Sequence, residues 1–539
     1  MSEAVAAAPV DHDHTIDPKR DRMVIFASTL GTVFEWYDFF IYGTLAAVIS
    51  VQFFPSANPT AGLLLVLATF GAGFGVRPLG AILFGILGDK LGRKYTFLVT
   101  ITLMGVATAA VGVLPTYAQI GIAAPILLVI LRLLQGLALG GEYGGAAIYV
   151  AEHAPRKKRG FYTSFIQAGV IGGFLLSVVV VLTVRGAVGT EAWAEWGWRV
   201  PFLVSVLLLG ISLWVRLKLK ESPVFQAMKD GGHIEKHPLR ESFRTWHRVK
   251  MILVVLFGIA AGLTVIWYTA QFQGLYFLRN ALRIEDVAAE TMVGISAFFA
   301  TFFFILFGWL SDKIGRKPPI LIGYALTLVL LFPLFHWMAA AANPELATAM
   351  QRNPVTVQGT NCDYNPFAQG PQATPCARAL HKLTTRGIAY TVIPAEGWSG
   401  DTYQVRIGPN VVDAESDATL TAALTTAGYR LEKSVPSFGK AVQVVLAITI
   451  IGFLSGMTFG PVAALLVELF PARIRYTSLS VPYHIGTGYF GGFLPFISQY
   501  IVARTGDPFS GLWYTIGVVA MALIVTFFWL PETSGKNLD

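Results

Sequence analysis

Long apolar segments constrain this chain more than any other feature of its sequence. Windows of about 20 apolar residues, enough to cross a hydrocarbon core of about 30 Å as a helix, recur about twelve times. Because a bilayer offers a free backbone no hydrogen-bond partners, such segments must be helical. Only 13% of the 539 residues are charged, against about 25% in soluble domains. The sequence therefore predicts an all-α membrane protein with twelve transmembrane helices.

The positive charges indicate a membrane topology rather than a nucleic-acid partner. The net charge is +8, but the cations cluster between apolar segments, in DKLGRK (89–94), PRKKRG (155–160), DKIGRK (312–317) and PARIR (471–475). Each of these connections follows an even-numbered helix, and basic connections stay on the cytoplasmic side of a membrane. These connections and both termini are therefore predicted to be cytoplasmic.

Two of the basic connections repeat one another, since G-x-x-x-D-K-x-G-R-K begins at Gly85 and again at Gly308. A repeat between apolar segments predicts two pseudo-symmetric six-helix halves. The predicted units are an N-terminal tail (1–22), the first half (23–219), a cytoplasmic linker (220–248), three helices of the second half (249–341), an extracytoplasmic insertion (342–437), three further helices (438–531) and a C-terminal tail (532–539).

The insertion between helices 9 and 10 is polar and too long for an ordinary connection. IAYTVI (388–393) and TYQVRIG (402–408) predict strands, and DATLTAALTTAGYRLEK (417–433) predicts a helix, so we expect a small α+β lobe. Both cysteines of the chain, Cys362 and Cys376, fall here, and an oxidising compartment favours a disulfide between them. The alternative is two free thiols in a flexible loop.

Charged side chains inside the predicted helices are candidates for function, because burying a charge in a bilayer is expensive. They are all in the first half: Glu35, Asp38, Arg77, Arg132 and Glu142. In the second half, His484 is the one deep titratable candidate that we predict. The two neighbouring acids share a helix face with Tyr42. Close carboxylates resist joint ionisation, which suits a proton carrier, although each could instead be the structural partner of an arginine.

Polar groups on two other helices complete the candidate site. Arg132, Gln135 and Glu142 fall on one predicted helix face, which should point into the bundle. Glu142 is an alternative proton site. Arg77 precedes Pro78, which should bend the helix, and a guanidinium at a bend could clamp a carboxylate or serve the architecture. Further candidates for contact with a substrate are Tyr42, Gln135, Gln167, Gln271, Tyr483 and His484.

Several motifs together resemble the metabolite:proton symporter family of the major facilitator superfamily, which includes shikimate, alpha-ketoglutarate and proline-betaine symporters. They are EWYDFFIYG (35–43), Arg77-Pro78, RLLQGLALGGEYGG (132–145), ESPVF (221–225) and PETSGKNL (531–538). The resemblance does not cover 342–437. It implies that Arg132 and Gln135, as parts of R-x-x-Q-G, link proton transfer to conformational change. It also implies a cytoplasmic gate in which Asp89, Arg93, Asp312 and Arg316 hold helix ends together.

The sequence thus predicts a proton-coupled importer of a small organic acid in a bacterial inner membrane, monomeric, with lipid and substrate as its partners. We expect no enzyme activity, no metal, no nucleic-acid partner and no cofactor other than the proton. Two alternatives stay open. One is a receptor-like protein that binds solute with its periplasmic lobe, and the other is a uniporter or exporter on the same fold.

Overall fold

The computed structural model describes residues 20–55, 59–91, 93–217, 238–368, 370–398, 400–472 and 474–538. The described part of the N-terminal half contains ten α-helices. They are α1 Arg20–Thr44, α2 Ala46–Phe53, α3 Pro59–Gly75, α4 Arg77–Leu91, α5 Arg93–Val113, α6 Tyr117–Ile120, α7 Ala123–Gly140, α8 Tyr143–His153, α9 Arg159–Glu195 and α10 Val200–Leu217.

The C-terminal half has two groups of helices, separated by a small folded segment. The first group is α11 Pro238–Ser242, α12 Trp246–Ala281, α13 Asp286–Ile314 and α14 Lys317–Ala342. The second, numbered after the helices of that segment, is α18 Phe438–Phe459, α19 Val462–Leu469, α20 Arg475–Ile485, α21 Leu494–Thr505 and α22 Leu512–Trp529.

Two helices of the C-terminal half contain wide π turns. Three of these turns are in α12, at Val254–Ala260, Thr269–Gln273 and Phe277–Ala281. The fourth, Gly486–Gly492, continues α20 towards α21, and the α20–α21 pair is counted here as one helix. Such turns are rare and frequently occur at functional sites. Both helices lie against the N-terminal half.

Nine helices within the described ranges are long and apolar enough to cross a bilayer. The helices among the predicted twelve that fall outside these nine are α1, α5 and the α20–α21 pair, so the count of twelve stays a prediction. Two helices begin earlier than the predicted units that contain them. Helix α1 already begins at Arg20, within the predicted tail. Helix α12 begins at Trp246, inside the predicted linker, most of which lies outside the described residues.

The two halves meet along α9 and α13, which cross at glycines. A Cβ on Gly308 of α13 would lie 2.4 Å from the Cβ of Ser164 on α9, so a larger residue would force the helices apart. A second contact joins α4 to α20, and α3 packs on the wide turn that follows α20. These crossings bring the buried charges of the first half to the surface that faces the second.

The segment between α14 and α18, residues 343–437, is called the lobe from here on. Its elements are α15 Pro344–Arg352, β1 Val355–Gly359, α16 Pro375–Thr385, β2 Tyr390–Pro394, β3 Tyr403–Ile407, β4 Asn410–Val412 and α17 Asp417–Thr426. The sheet order is β2-β1-β3-β4, with β1 and β2 parallel and the other pairs antiparallel. Side chains such as Val357, Leu383 and Leu424 form a separate apolar core.

The predicted disulfide between Cys362 and Cys376 is confirmed. Strands β2 and β3 fall where the sequence predicts strands, whereas β1, β4, α15 and α16 were not predicted. The helix predicted over 417–433 ends at Thr426. The lobe lies at the opposite end of the helix bundle from Asp312 and Arg316, and we call these ends the lobe end and the gate end.

Candidate functional site

Two arginines of the N-terminal half lie buried at the centre of the molecule, and local sequence explains how Arg132 reaches this place. A Cβ on Gly136 would lie 1.8 Å from the carbonyl oxygen of Gly73, so the glycine of R-x-x-Q-G lets α7 press against α3. The Arg132 guanidinium then lies 4.3 Å from the ring centres of both Phe39 and Tyr42.

Arg132 uses only part of its hydrogen-bonding capacity. Its Nη1 donates to Gln135 Oε1 at 2.6 Å and more weakly to the Phe39 carbonyl at 3.4 Å. The Nε and Nη2 groups are buried and have no hydrogen-bond partner among the described residues. Both ends of the Gln135 amide are engaged, because its nitrogen also donates to Thr108 Oγ1 at 2.8 Å. Gln135 therefore orients Arg132, and this leaves it little capacity to bind a substrate.

Arg77 lies at the junction between α3 and α4 and shares an aromatic ring with Arg132. Its guanidinium is 3.6 Å from the ring centre of Phe74, 4.5 Å from that of Phe39 and 4.9 Å from that of Trp36. The Arg77 Nε and Nη2 groups are also buried without a hydrogen-bond partner in the described part of the chain. Cation–π contacts hold both charges, and N–H groups of both arginines stay available to an anion.

The structure does not place Asp38 beside these arginines. Its carboxylate accepts a hydrogen bond from Ser205 Oγ on α10, at 2.5 Å, and forms no ion pair with a described residue. The neighbouring Tyr37 hydroxyl also bonds to α10, at the Pro201 carbonyl. The alternative in which an arginine holds Asp38 is therefore wrong for this conformation. Glu35, one turn earlier on α1, is buried as well.

Glu142 lies at the break between α7 and α8 rather than within one continuous helix. It is buried and accepts a hydrogen bond from Thr100 Oγ1 of α5 at 2.9 Å. Although buried as expected, Glu142 does not continue the helix face of Arg132, because α7 ends at Gly140.

The predicted polar residues of α9, α12 and α20 lie at the interface between the halves. Gln167 donates to the Tyr143 hydroxyl, and the Tyr143 ring stacks on Tyr483 of the C-terminal half, with ring centres 4.1 Å apart. Both nitrogens of the adjacent His484 are buried without a hydrogen-bond partner among the described residues. The same holds for the Tyr42 hydroxyl and the Gln271 carbonyl oxygen.

Aromatic side chains close the interface between this centre and the lobe end. Phe40 of α1 stacks on Trp267 of α12 with ring centres 5.0 Å apart, and Phe70 of α3 lies 5.4 Å from Phe272. The Tyr276 hydroxyl also crosses the interface and donates to the Gly43 carbonyl at 3.1 Å. Contacts between the halves therefore exist on the lobe side of the arginines.

The gate end is held by hydrogen bonds between the halves. Both carboxylate oxygens of Asp312 accept from N–H groups in the first turn of α9, at Gly160 and Phe161, each at 2.8 Å. The α9 N-terminus carries the positive end of the helix dipole, which favours an acid there. Arg316 pairs with Asp312 at 2.7 Å. The side chains of Asp89 and Arg93 in the first repeat lie outside the described residues.

The gate also contains a carboxylate that the sequence analysis missed. Glu468, at the end of α19, is buried and accepts hydrogen bonds from Arg159 of α9 at 2.9 Å and from Arg316 at 3.0 and 3.1 Å. Glu290, which pairs with Arg279 near the lobe end, is buried too. The prediction that His484 is the one deep titratable group of the second half is therefore wrong. The acid in LLVELF was a usable signal for Glu468.

The two helical halves, the charges buried between them and the gate define a multi-pass membrane protein of the major facilitator type. The family described as "Sugar (and other) transporter" matches residues 23–251 and 418–539, and the chain belongs to that family. Its members that resemble this chain are transporters rather than enzymes. The predicted membership of the major facilitator superfamily is confirmed.

Curated relatives differ in what they transport. The chain is 37% identical to the proline/betaine transporter of Salmonella typhimurium over 333 residues, which are 59% of this chain and 65% of that protein. It is 36% identical to the shikimate transporter of Escherichia coli over 60% of this chain and 74% of that one. An inner membrane metabolite transport protein of Escherichia coli is 31% identical over 96% of this chain and 97% of its own length.

A solved structure supports the fold. The xylose transporter of Escherichia coli, in a partially occluded inward-open conformation, superposes with a TM-score of 0.60 over 96% of this chain and 100% of that one. The sequence identity is 18%, so this likeness concerns the fold alone.

Proposed function

We propose that the protein is a proton-coupled symporter that imports a small organic acid across a bacterial inner membrane. One observation carries the proposal: Arg77 and Arg132 present buried N–H groups that have no partner among the described residues, beside one shared ring, Phe39. Buried donors are normally satisfied, and guanidinium groups suit carboxylates. A carboxylate between the halves would satisfy both arginines.

The relatives support a carboxylate but not a particular substrate. Proline, betaine and shikimate, named in the descriptions of relatives, share a carboxylate group and differ in the rest of the molecule. In this chain, the part of the substrate beyond its carboxylate would contact the stacked rings of Tyr143 and Tyr483, together with His484 and Gln271. These groups supply aromatic faces and hydrogen-bonding atoms, which suit a substrate with hydroxyl groups.

Asp38 is the proposed proton carrier. It is buried, and its partner is the neutral hydroxyl of Ser205 rather than a cation. Ionisation without a cationic partner is unfavourable in such surroundings, so a proton on Asp38 suits this conformation. Glu35 and Glu142 are the other candidates. Arg132 couples proton release to substrate release if it pairs with the Asp38 carboxylate after the proton has left. The substrate anion then loses its contact with Arg132 and is released.

Alternating access follows from bonds that cross the interface. The gate-end bonds of Asp312 and Glu468 link the two halves, and they must break when that end opens. We propose twelve spans, formed by the nine apolar helices together with α1, α5 and the α20–α21 pair. Both termini and the gate end then face the cytoplasm, and the lobe lies outside.

Uptake into proteoliposomes tests the proposal. Shikimate, proline and glycine betaine are offered with an inward pH gradient, and at least one should accumulate. Asp38→Asn should abolish accumulation but keep counterflow exchange, since exchange needs no net proton movement. Arg77→Gln should abolish both. Glu191→Gln, at an exposed acid near the end of α9, is the matched control and should transport as the wild type does.

Other outcomes separate the alternatives. Wild-type accumulation by Asp38→Asn would remove that residue from coupling. If the substrate only equilibrates across the membrane, to the same extent with and without the pH gradient, the protein is a uniporter. Binding of a substrate without any transport would favour the receptor-like alternative.

A further inference from the structure

A cleft of about 280 Å³ lies at the lobe end, away from the central arginines. Its walls come from three parts of the molecule: the start of α3 in the N-terminal half, the end of α12 in the C-terminal half, and α16 of the lobe. The volume is slightly below the range of about 300–1,000 Å³ that is usual for small-molecule sites. The cleft therefore has room for a small metabolite.

Four cationic residues line this cleft, and the described lining contains no carboxylate. Three of the four have acidic partners outside the lining. Arg279 pairs with Glu290 and Asp286, Lys433 with Asp286, and Arg386 with Asp417. The fourth cation is Arg283. The lining thus carries positive charge, and the acids that partly neutralise it lie outside the lining.

Arg283 is the exception among these cations, because it forms no ion pair with any described residue. Its Nη2 donates to the main-chain oxygen of Arg386 in the lobe. Burial and the nearby charge of Arg386 lower its pKa. Its backbone has φ +53°, a left-handed conformation that few non-glycine residues adopt and that is enriched at functional sites.

A buried donor without a hydrogen-bond partner among the described residues lines the same cleft. Gln273 is buried, and its Oε1 accepts from Gln499, while its Nε2 has no hydrogen-bond partner among the described residues. Leu63, Leu64 and Ile388 supply apolar wall. A lining that combines donors and cations with apolar side chains suits an organic anion better than inorganic phosphate.

We infer that this cleft is a second binding site, for a small organic carboxylate, formed jointly by the lobe and both halves of the transporter. Arg283 and Gln273 supply N–H donors to the carboxylate, and the apolar wall contacts the rest of the anion. The site does not depend on the proposed transport activity.

The lobe is attached to the C-terminal half next to the cleft. Ile284 pairs with Ser434, and the Tyr390 N–H donates to the Gly506 carbonyl at 3.1 Å. Asn343 also bonds to the carbonyl of Leu282 at 3.0 Å. The cleft wall on α3 belongs to the other half, so relative motion of the halves changes the width of the cleft.

Thiol labelling tests the charge of the cleft in the full-length protein. Both native cysteines form the disulfide, so Thr385→Cys in the lining adds a single free thiol. At each thiol we compare the labelling rate of an anionic ethylsulfonate thiosulfonate with that of its cationic trimethylammonium analogue. The ratio of anionic to cationic rate should be at least about tenfold higher at Thr385→Cys than at Ala422→Cys on the exposed face of α17. Arg283→Gln and Lys433→Gln should each lower this ratio, whereas Arg430→Gln, a lobe cation outside the lining, should not.

Ligand protection tests the chemical class. Shikimate and benzoate at millimolar concentration should slow labelling of Thr385→Cys, and inorganic phosphate should not. Protection should persist with Arg77→Gln, which impairs the central site, and disappear with Arg283→Gln. Protection by phosphate alone, loss of protection with Arg77→Gln, or equal reactivity of the two reagents would each overturn the inference. Protection without any transport would leave the cleft site standing and refute the proposed function.

Discussion

Removing the charge of Glu468 should open the gate end. Glu468 accepts four hydrogen bonds, and three of them, two from Arg316 and one from Thr533, stay within the C-terminal half. Only the bond from Arg159 reaches the other half. In Glu468→Gln, the bonds within one half are weakened in both conformations, so they do not shift the equilibrium between closed and open.

The shift therefore comes from the one hydrogen bond of Glu468 that crosses the interface, since the bonds from α9 to Asp312 are unchanged. A hydrogen bond to a charged group contributes about 1.5–3 kcal/mol. At about 1.4 kcal/mol for each factor of ten, Glu468→Gln should raise the gate-open fraction about 10- to 150-fold. The whole-protein stability should fall further, since Arg159 and Arg316 lose their buried partner.

The assay is alkylation of a thiol at Ser480, which faces Gly144 of the other half. Ser480 is buried, and its Oγ has no hydrogen-bond partner among the described residues, so Ser480→Cys should perturb little. The rate of reaction with N-ethylmaleimide reports gate opening. Glu532→Gln is the matched control, because Glu532 bonds to backbone N–H groups of its own half, such as that of Arg316.

Two results would refute this reasoning. An unchanged alkylation rate in Glu468→Gln would show that the crossing bond does not hold the gate closed. An equal rise in Glu532→Gln would show general loosening rather than a gate. Thermal unfolding of each variant excludes a rate increase caused by unfolded protein.

Three further outcomes follow from the described contacts. Replacing Cys362 and Cys376 by serine should destabilise the lobe by about 3 kcal/mol, the value for closing a loop of this length, and limited proteolysis should then cut the lobe first. Burial opposes ionisation of Glu532, but hydrogen bonds from backbone N–H groups outweigh this effect and hold the Glu532 pKa below its usual range. The ionised carboxylate therefore stabilises the folded protein above about pH 4.3, and this stabilisation is lost as the pH falls through the lower pKa of the folded state. Melting curves against pH should therefore show a shallower acid decline for Glu532→Gln. Gly308→Ala should disturb packing of the halves by about 1–3 kcal/mol and lower transport, whereas Gly517→Ala, with nothing within 4 Å, should not.

Apolar length and turn chemistry made much of the fold predictable. The apolar segments on either side of the lobe form α14, which ends at Ala342, and α18, which begins at Phe438. Strand β1 was missed although Val355 and Val357 alternate with polar residues, and this pattern typically indicates a half-buried strand. The signal was present but short.

The pairing of buried charges could not be predicted in the same way. Sequence spacing placed Asp38 and Arg132 in the bundle, but their partners, Ser205 and the ring of Phe39, come from the tertiary packing. Glu468 lies close to Pro471 and so resembled part of a cytoplasmic connection. It is buried because Arg159 of α9 and Arg316, which lies just before α14, converge on it.

The pairing of β1 with β3 has a consequence for the order of synthesis. Val355 pairs with Ile407, so the sheet cannot close until the chain beyond β3 has been made. Contacts that are distant in sequence form slowly, and on the proposed outer face this segment must be exported before it folds. The bridge from Ile284 to Ser434 can form only after the whole lobe has been made, so it marks attachment of the completed lobe to the end of α12.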